Sequence, residues 1–109
     1  LTRGAAFDDG VCTCSYGVDV HSPDPDKDKG LSSMGVRSRP YQIPYRSLVA
    51  KEVKGLLMAG RCISGGWLPH ASYRVTGTAV SLGEAAGKAG AFCALSGKSP
   101  DEISWNDVR

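Results

Sequence analysis

The 109-residue sequence lacks the features of a nucleic-acid-binding or membrane-spanning protein. Its 13 Lys and Arg residues are scattered among 11 Asp and Glu residues, and no basic cluster is present to follow a phosphate backbone. No uninterrupted apolar run approaches the ~20 residues that span a bilayer. No basic-then-apolar signal segment opens the chain either. We therefore expect no nucleic-acid partner and no membrane span, and a cytoplasmic location is favoured.

Motifs for metals, iron–sulfur clusters and dinucleotides are also missing. The pair Cys12 and Cys14 is spaced too tightly for the usual zinc or iron–sulfur sites, and no CxxC occurs. The other two cysteines, Cys62 and Cys93, lie among apolar residues, which predicts free, buried thiols. No GxGxxG follows a strand, so this stretch by itself has no dinucleotide phosphate site. We predict no metal site here.

Residues 22–39 form a polar stretch with no apolar face. Asp24, Asp26 and Asp28 alternate as in a calcium loop, but no glycine stands at the sixth position and no glutamate at the twelfth. The composition therefore predicts a solvated loop.

What the sequence does contain is centred on the stretch from Leu56 to Gly97. The apolar run Leu56–Ala59 lies between two glycines, which predicts a strand buried on both faces, as in parallel sheets. A turn at Gly60 and a loop over 65–72 follow, and a helix of about 20 residues completes the unit. These elements predict a mixed α/β fold.

The helix is the best-defined element of the sequence. No proline occurs between Pro69 and Pro100, and Gly97 suits the position just after the last turn. A glycine inside a helix costs about 1 kcal/mol relative to alanine. Small residues nevertheless recur at helical spacing at Ala79, Gly83, Ala86, Gly90, and Cys93 or Ala94. This small-residue stripe predicts close approach of another backbone or of a flat ligand.

Weaker patterns precede this unit. Residues 1–16 carry a faint helical signal, and Val18–His21 alternates like a brief strand. Residues 41–49 alternate more clearly, and Pro44 makes them an edge strand or a bent one. Tyr41, Ile43 and Tyr45 would then share one face. The opposite face, which carries Arg46, either lines a pocket or forms the outer side of a sheet.

Three groups of residues, taken in order, match a known family. They are Ile43–Leu48, then Gly60–Ser64, then His70, Ser72, Arg74-Val75, Thr78 and Leu82-Gly83-x-Ala85-Ala86-Gly87. Together they resemble the C-terminal part of the bacterial FAD-dependent oxidoreductases, which are glutathione-reductase-like flavoproteins related to the heterodisulfide reductases. The triplet Asp19-Val20-His21 is similar to the Asp-Ile-His that precedes the family's proline–tyrosine strand. The resemblance covers residues 16–108.

The resemblance implies a C-terminal fragment of a two-domain FAD-binding fold. Residues 1–50, with the polar loop 22–39, would be the end of the substrate-side β-sheet domain. Residues 51–109 would supply the last strand and long last helix of the Rossmann-like FAD domain. The rest of the same polypeptide would then be the partner of this chain and would hold the phosphate-binding half of the FAD site.

The resemblance also implies cofactor-binding residues. Gly60, Arg61, Cys62 and Ser64 would approach the ribityl–phosphate side of FAD. Arg74, Val75 and Thr76 would present a cation and backbone amides to the flavin ring edge. A helix N-terminus carries about half a positive charge, which stabilises the negative charge that reduction places on that edge.

Two departures from the family pattern bear on the chemistry. Gly60 is followed by Arg61, as in this subgroup, whereas many glutathione-reductase-like relatives have Gly-Asp. The subgroup commonly has Thr-His-Glu where this chain has Gly66-Trp67-Leu68. His70 is then the candidate catalytic acid or base. Tyr45 and Arg46 are candidates for contact with an unidentified small-molecule substrate.

Three interpretations of the function remain open. The chain starts without methionine and ends in mid-pattern, so we expect a fragment of an FAD-dependent oxidoreductase that is inactive alone. It is alternatively a non-catalytic remnant or interaction module. The third alternative is an iron–sulfur flavoprotein of the heterodisulfide reductase type, whose cysteine clusters would have to lie upstream. The parent open reading frame discriminates between them.

Overall fold

The computed structural model describes residues 1–24, 26 and 33–109, so part of the predicted polar loop, including Asp28, lies outside the described residues. Its elements are strands β1 (Gly10–Cys14) and β2 (Tyr41–Pro44) and helices α1 (Trp67–Tyr73), α2 (Thr76–Ser96) and α3 (Trp105–Val108). Three 3-10 helices span Tyr45–Ser47, Gly60–Cys62 and Pro100–Glu102. The predicted mixed α/β class is confirmed.

The two strands form an antiparallel pair, with Cys14 opposite Tyr41 and Cys12 opposite Ile43. Tyr41 and Ile43, predicted to share one face with Tyr45, are buried on the strand, and Tyr45 is buried in the 3-10 helix that follows. The strand ends at Pro44 instead of continuing to residue 49, because proline has no N–H for a ladder and a 3-10 helix follows.

Three local predictions before residue 60 are wrong. The faint helical signal in residues 1–16 contains β1, whose register shifts between Gly10 and Cys12. Val18–His21 is not a strand. The run Leu56–Ala59 forms only one bridge, between Leu57 and Val49, and Leu56 is exposed. A central strand of a parallel sheet has a paired strand on each edge. The backbone hydrogen bonds of this run instead go to Leu48 and Ala50.

The predicted loop 65–72 is also wrong, since most of it is helix α1. Pro69 is the third residue of this helix. Proline is tolerated there because the first N–H groups of a helix have no intrahelical partner.

Helix α2 confirms the predicted long helix. Gly97 has a left-handed backbone (φ 70°), and its N–H donates to the Cys93 carbonyl at 2.9 Å. The buried face of α2 carries Thr78, Leu82, Ala85 and Ala89. This face packs on β1 and on the core residues Leu48, Tyr45 and Trp105.

The small-residue stripe is not the buried face of α2. A Cβ added at Gly83, Gly87 or Gly90 would meet no atom within 4 Å. Gly83 and Ala94 are exposed, whereas Leu82 and Ala89 are fully buried. Ala86 and Cys93 pack at the edge of the core and Ala79 lies against the Gly60 turn, so only the glycine positions of the stripe lack a packing partner among the described residues.

The C-terminal residues close the core from the other side. Tyr45 donates a hydrogen bond to the Pro100 carbonyl at 2.9 Å, and its ring stacks on Trp105 with the ring centres 5.9 Å apart. Capping boxes at Ser99/Glu102 and Ser104/Asp107 begin the last two short helices. Residues from both predicted domain parts thus share one core, and the division at residue 50 stays a prediction.

The four cysteines are free, but their burial differs from the prediction. Cys62 is exposed and Cys93 only partly buried, whereas Cys14 is buried. Cys62 belongs to the Gly60–Cys62 turn on the surface, so its apolar neighbours in sequence do not surround it in space. In the described part of the chain, no helix is long and apolar enough to cross a membrane.

Candidate functional site

The N-terminus of α2 is the first part of the candidate site. Val75 is its N-cap residue, but no side chain caps it and no acidic side chain lies in the first turn. The first amide groups of a helix have no intrahelical acceptor. They face a cavity of about 400 Å³ that is lined by Val75, Gly77, Thr78, Ser81 and residues of the 13–17 segment. The helix start can therefore accept an electron-rich group.

The Gly60–Ser64 segment meets α2 at this same end. Gly60 is buried with a left-handed backbone (φ 63°), and a Cβ placed on it would lie 3.4 Å from the Cβ of Ala79. Ala79 is the fourth residue of α2, so the Gly60 backbone passes one helical turn from Thr76. Arg61, Cys62 and Ser64 are exposed around it. The structure thus brings the Gly60 turn to the first turn of α2, whereas Ser64, Val75 and Arg74 line three different cavities.

Helix α1 fixes the segment that follows the Gly60 turn. The Tyr73 hydroxyl donates to the Ile63 carbonyl at 3.2 Å, and a Cβ on Gly65 would lie 2.7 Å from that hydroxyl oxygen. The Ser64 N–H donates to the Ser47 carbonyl at 3.0 Å. Ser64 also borders a mainly apolar cavity of about 230 Å³ between β2, α1 and the first residues. A glycine is required at position 65 because Tyr73 occupies the space of a side chain.

His70 and Arg74 lie on the other side of the α1–α2 junction. The His70 ring packs edge-on against Tyr73, with 5.3 Å between ring centres. The Arg74 Nη2 donates to the Asp19 carbonyl at 2.8 Å and lies 3.9 Å from Asp19 Oδ2. Both residues line a polar cleft shared with residues 19–21. The guanidinium is therefore held at this cleft, and its predicted contact with a flavin ring stays a prediction.

The two candidate substrate residues take part in contacts within the chain. Tyr45 is buried against Trp105, and burial, together with the charges of Cys93 and Asp101, raises the pKa of its phenol to about 12. Arg46 is exposed, pairs with Asp9, and its guanidinium carbon lies 4.9 Å from the Phe7 ring centre. These contacts hold the first ten residues to the end of β2. A substrate role for either residue stays a prediction.

A buried polar cluster next to the start of α2 was not predicted from the sequence. The Ser72 hydroxyl donates to the Tyr16 carbonyl and accepts from the Tyr41 hydroxyl at 3.1 Å. The Thr78 hydroxyl donates to Cys14 Sγ at 3.5 Å, and Ser72 Oγ lies 3.7 Å from the same sulfur. The four residues come from β1, β2, α1 and α2, so no local sequence pattern announces the cluster.

This cluster changes the acidity of its members. Burial raises the pKa of the Cys14 thiol, but its hydrogen-bonding contacts with Tyr41, Thr78 and Ser72 together outweigh burial, and the pKa is lowered from its usual 9. Burial and the hydrogen bond to Cys14 raise the pKa of Tyr41 well above its usual range. The cluster therefore makes the Cys14 thiol more acidic and the Tyr41 phenol less acidic than usual.

The donors and the backbone shape fit a flavin. A long helix without an N-terminal cap offers several amides to the ring edge, and the left-handed Gly60 lets the backbone lie against α2 without a side chain between them. No three His, Cys, Asp or Glu side chains of the described residues are grouped so that they could hold a metal ion. The uncapped start of α2 and the Gly60 turn are thus compatible with the cofactor role that the resemblance implies, and that role stays a prediction.

Comparison with known proteins gives the class. The sequence model of the FAD-dependent oxidoreductase family matches residues 1–109, the whole chain. The chain therefore belongs to the FAD-dependent oxidoreductase family. No curated protein and no solved structure matched it. The resemblance at this level is confirmed, and the narrower relation to glutathione reductase or heterodisulfide reductase stays a prediction.

Proposed function

We propose that this chain supplies the ring-edge and ribityl-side half of the FAD pocket of an oxidoreductase of the glutathione-reductase-like type. The observation that carries the proposal is the meeting of the Gly60 turn with the uncapped start of α2, at Ala79. Bound FAD would supply two-electron redox chemistry, and the protein supplies orientation and electrostatics. The family match supports FAD as the cofactor.

Each predicted residue has a distinct task in this proposal. The amides of Thr76 and Gly77 stabilise negative charge at the flavin ring edge, with the helix dipole behind them. Gly60 and its exposed neighbours Arg61, Cys62 and Ser64 hold the ribityl–phosphate side. His70, which lies in α1 one turn before its end, would hold or transfer a proton near the ring. The cation of Arg74 adds positive charge on the same side.

The remaining half of the pocket belongs, in this proposal, to the rest of the polypeptide. Dinucleotide phosphates are typically held by a Gly-rich turn between a strand and a helix, and this sequence has none. The open small-residue stripe of α2 would pack on that remaining part. A cytoplasmic location is part of the same proposal.

The test compares the complete gene product with residues 1–109 expressed alone. We expect the complete protein to show flavin absorbance after gel filtration and to bleach on anaerobic reduction. Residues 1–109 alone should elute without flavin, because they lack the phosphate half of the site. Stoichiometric flavin on residues 1–109 would show that the site is complete in this chain. A flavin-free complete protein would refute the proposal.

A further inference from the structure

A small polar cleft lies between helix α1 and the segment 19–21. Trp67, His70 and Arg74 stand three and four residues apart, so they share one face of α1 and its cap. Asp19 and His21 face them from the other side. The cleft has a volume of about 140 Å³, far smaller than the pockets that hold drug-sized ligands. Its occupant is accordingly a small molecule.

The main chain holds Asp19 firmly in this cleft. Its N–H donates to the Ala71 carbonyl at 3.1 Å, and its carbonyl accepts from Arg74 Nη2 at 2.8 Å. These two bonds fix the segment against the second half of α1 and its cap. The side chain of Asp19 is therefore placed by backbone contacts that do not depend on its carboxylate.

The Asp19 carboxylate carries an unsatisfied oxygen. Oδ1 is buried and accepts no hydrogen bond from the described residues, although His21 Nε2 approaches it at 3.0 Å. That distance suits an ion pair, but a hydrogen bond also requires a favourable angle at the donor. A buried acceptor without a donor is costly and rare in native structures. Among the described residues, Oδ1 thus has an ion-pair contact with His21 but no hydrogen-bond donor.

The other groups of the cleft determine what that donor is attached to. The Arg74 side chain is 35% exposed, so it can reach an occupant from solvent. A guanidinium is the preferred partner of a carboxylate. Trp67 is 62% exposed at the start of α1 and lines the cleft, so its ring offers an apolar surface there. The cleft therefore combines a cation that can bind an anionic group, Arg74, with an acceptor for a hydrogen-bond donor, Asp19 Oδ1.

We propose that this cleft binds a small carboxylate whose neighbouring carbon carries a hydrogen-bond donor, as in a 2-hydroxy or 2-amino acid. Arg74 holds the carboxylate, Asp19 Oδ1 accepts from the hydroxyl or ammonium group, and Trp67 covers the side chain. The cleft ends at Arg74 and the cavity at the α2 N-terminus begins at Val75. A molecule bound here lies beside the flavin position. Its role as a substrate rests on the proposed function, whereas its binding does not.

The test uses the complete polypeptide and four small probes of nearly equal size. Lactate has the carboxylate and a hydroxyl, alanine the carboxylate and an ammonium, and propionate the carboxylate alone. Methyl lactate has the hydroxyl without the charge. In calorimetric titration we expect lactate or alanine to bind about tenfold more tightly than propionate, because each donates a hydrogen bond to a charged acceptor. Methyl lactate should bind more weakly than lactate.

Variants assign the preference to this cleft. Asp19→Ala removes the acceptor and should abolish the preference over propionate, while the two main-chain bonds of residue 19 remain. Asp19→Asn, which keeps the shape, should reduce it. Asp9→Ala is the matched control, because Asp9 also pairs with an arginine but lies outside the cleft. It should leave the preference unchanged.

Three outcomes overturn the proposal. They are no binding of any carboxylate, equal binding of lactate, alanine and propionate, and a preference that both Asp19 variants retain. Flavin content is measured on the same samples by absorbance. If the protein contains flavin but shows no preference for lactate or alanine, the cleft proposal is refuted and the proposed function stands. If it shows the preference but contains no flavin, the proposed function is refuted and the cleft proposal stands.

Discussion

At the scale of single residues, two cysteines of one strand experience opposite environments. Cys12 and Cys14 stand two positions apart on β1, yet burial and the neighbouring Cys14 raise the pKa of Cys12 to about 11, whereas hydroxyl donors lower that of Cys14. Burial raises the pKa of both thiols, so the difference comes from the hydrogen-bonding partners of Cys14. Hydrogen bonding to the charged form thus outweighs desolvation at Cys14.

This contrast predicts how the reactivity of Cys12 changes with pH. Only the thiolate is nucleophilic, so the alkylation rate of Cys12 should rise about tenfold per pH unit above pH 8 and level off only near its pKa of about 11. Iodoacetamide labelling of the native protein, followed by peptide mass spectrometry, measures the rate. Exposed Cys62 should be labelled first, and Cys14, only 1% exposed, should stay protected despite its lowered pKa.

A Cys62→Ser variant provides the control, because it removes the exposed thiol and leaves β1 untouched. A plateau for Cys12 already at pH 9 would contradict the raised pKa.

At the scale of elements, the start of α2 connects the fold to the proposed chemistry. Val75 has an extended backbone (φ −80°, ψ 153°), which is the conformation favoured before a proline. Thr76 is the first helical residue, where proline fits without loss of an intrahelical bond. A single amide can therefore be deleted at this position without disturbing the helix.

Thr76→Pro should separate stability from cofactor tuning. We expect the melting temperature to stay within a few degrees, since the helix tolerates proline here. The two-electron reduction potential of the flavin should fall by about 30 mV, the equivalent of one lost hydrogen bond to a charged group. Spectroelectrochemical titration of the complete protein measures the potential.

Thr76→Ser is the matched control, because it keeps the amide and changes only the side chain. Equal potentials for Thr76→Pro and the unmodified protein would mean that this amide does not face the flavin.

The sequence predicted α2 well and α1 not at all, for one reason. Both predictions treated proline as a residue that lies outside a helix. This holds for Pro100, which follows α2. It fails for Pro69, which lies in the first turn of α1, where its missing N–H has no consequence. The strand expected at Leu56–Ala59 is absent because strands depend on neighbours, and the described chain provides only the segment at Val49. Local sequence patterns do not contain that information.

The candidate site was predictable in part. The residues around Gly60 and Thr76 could be assigned from the family resemblance, and they do meet at one end of α2. The Cys14 cluster and the Asp19 cleft could not, because their members lie about fifty residues apart in sequence and are joined only by tertiary packing. No periodicity connects Asp19 with Arg74.

At the scale of the whole molecule, the exposed side of α2 distinguishes this chain alone from the complete protein. Gly83 has open space around it, so nothing in the described residues requires a glycine at this position. Val80 and Leu95 are exposed on the same helix, at 67% and 90%. If the rest of the polypeptide packs on the small-residue stripe, as we propose, the glycines acquire a function there.

Gly83→Ala should therefore have opposite effects in the two contexts. In residues 1–109 alone it should stabilise the fold by about 0.5–1 kcal/mol, because alanine favours the helix. In the complete protein it should destabilise by about 1–3 kcal/mol, because the methyl group would clash with a closely packed neighbour. Urea unfolding measures the first effect and thermal unfolding the second.

Gly97→Ala serves as the reference, since its left-handed backbone (φ 70°) makes alanine unfavourable in either context. A stabilising effect of Gly83→Ala in both proteins would show that the stripe remains uncovered.

The pairing of β1 with β2 also governs how insertions would affect the protein. Cys14 pairs with Tyr41, so the end of β1 and the start of β2 are held next to each other. The entropy of closing a loop grows only with the logarithm of its length, at about 0.6 kcal/mol for each doubling. Relatives can therefore differ by many residues between these strands at little thermodynamic expense, while the same insertion between Arg74 and Val75 would part the cleft from the helix start.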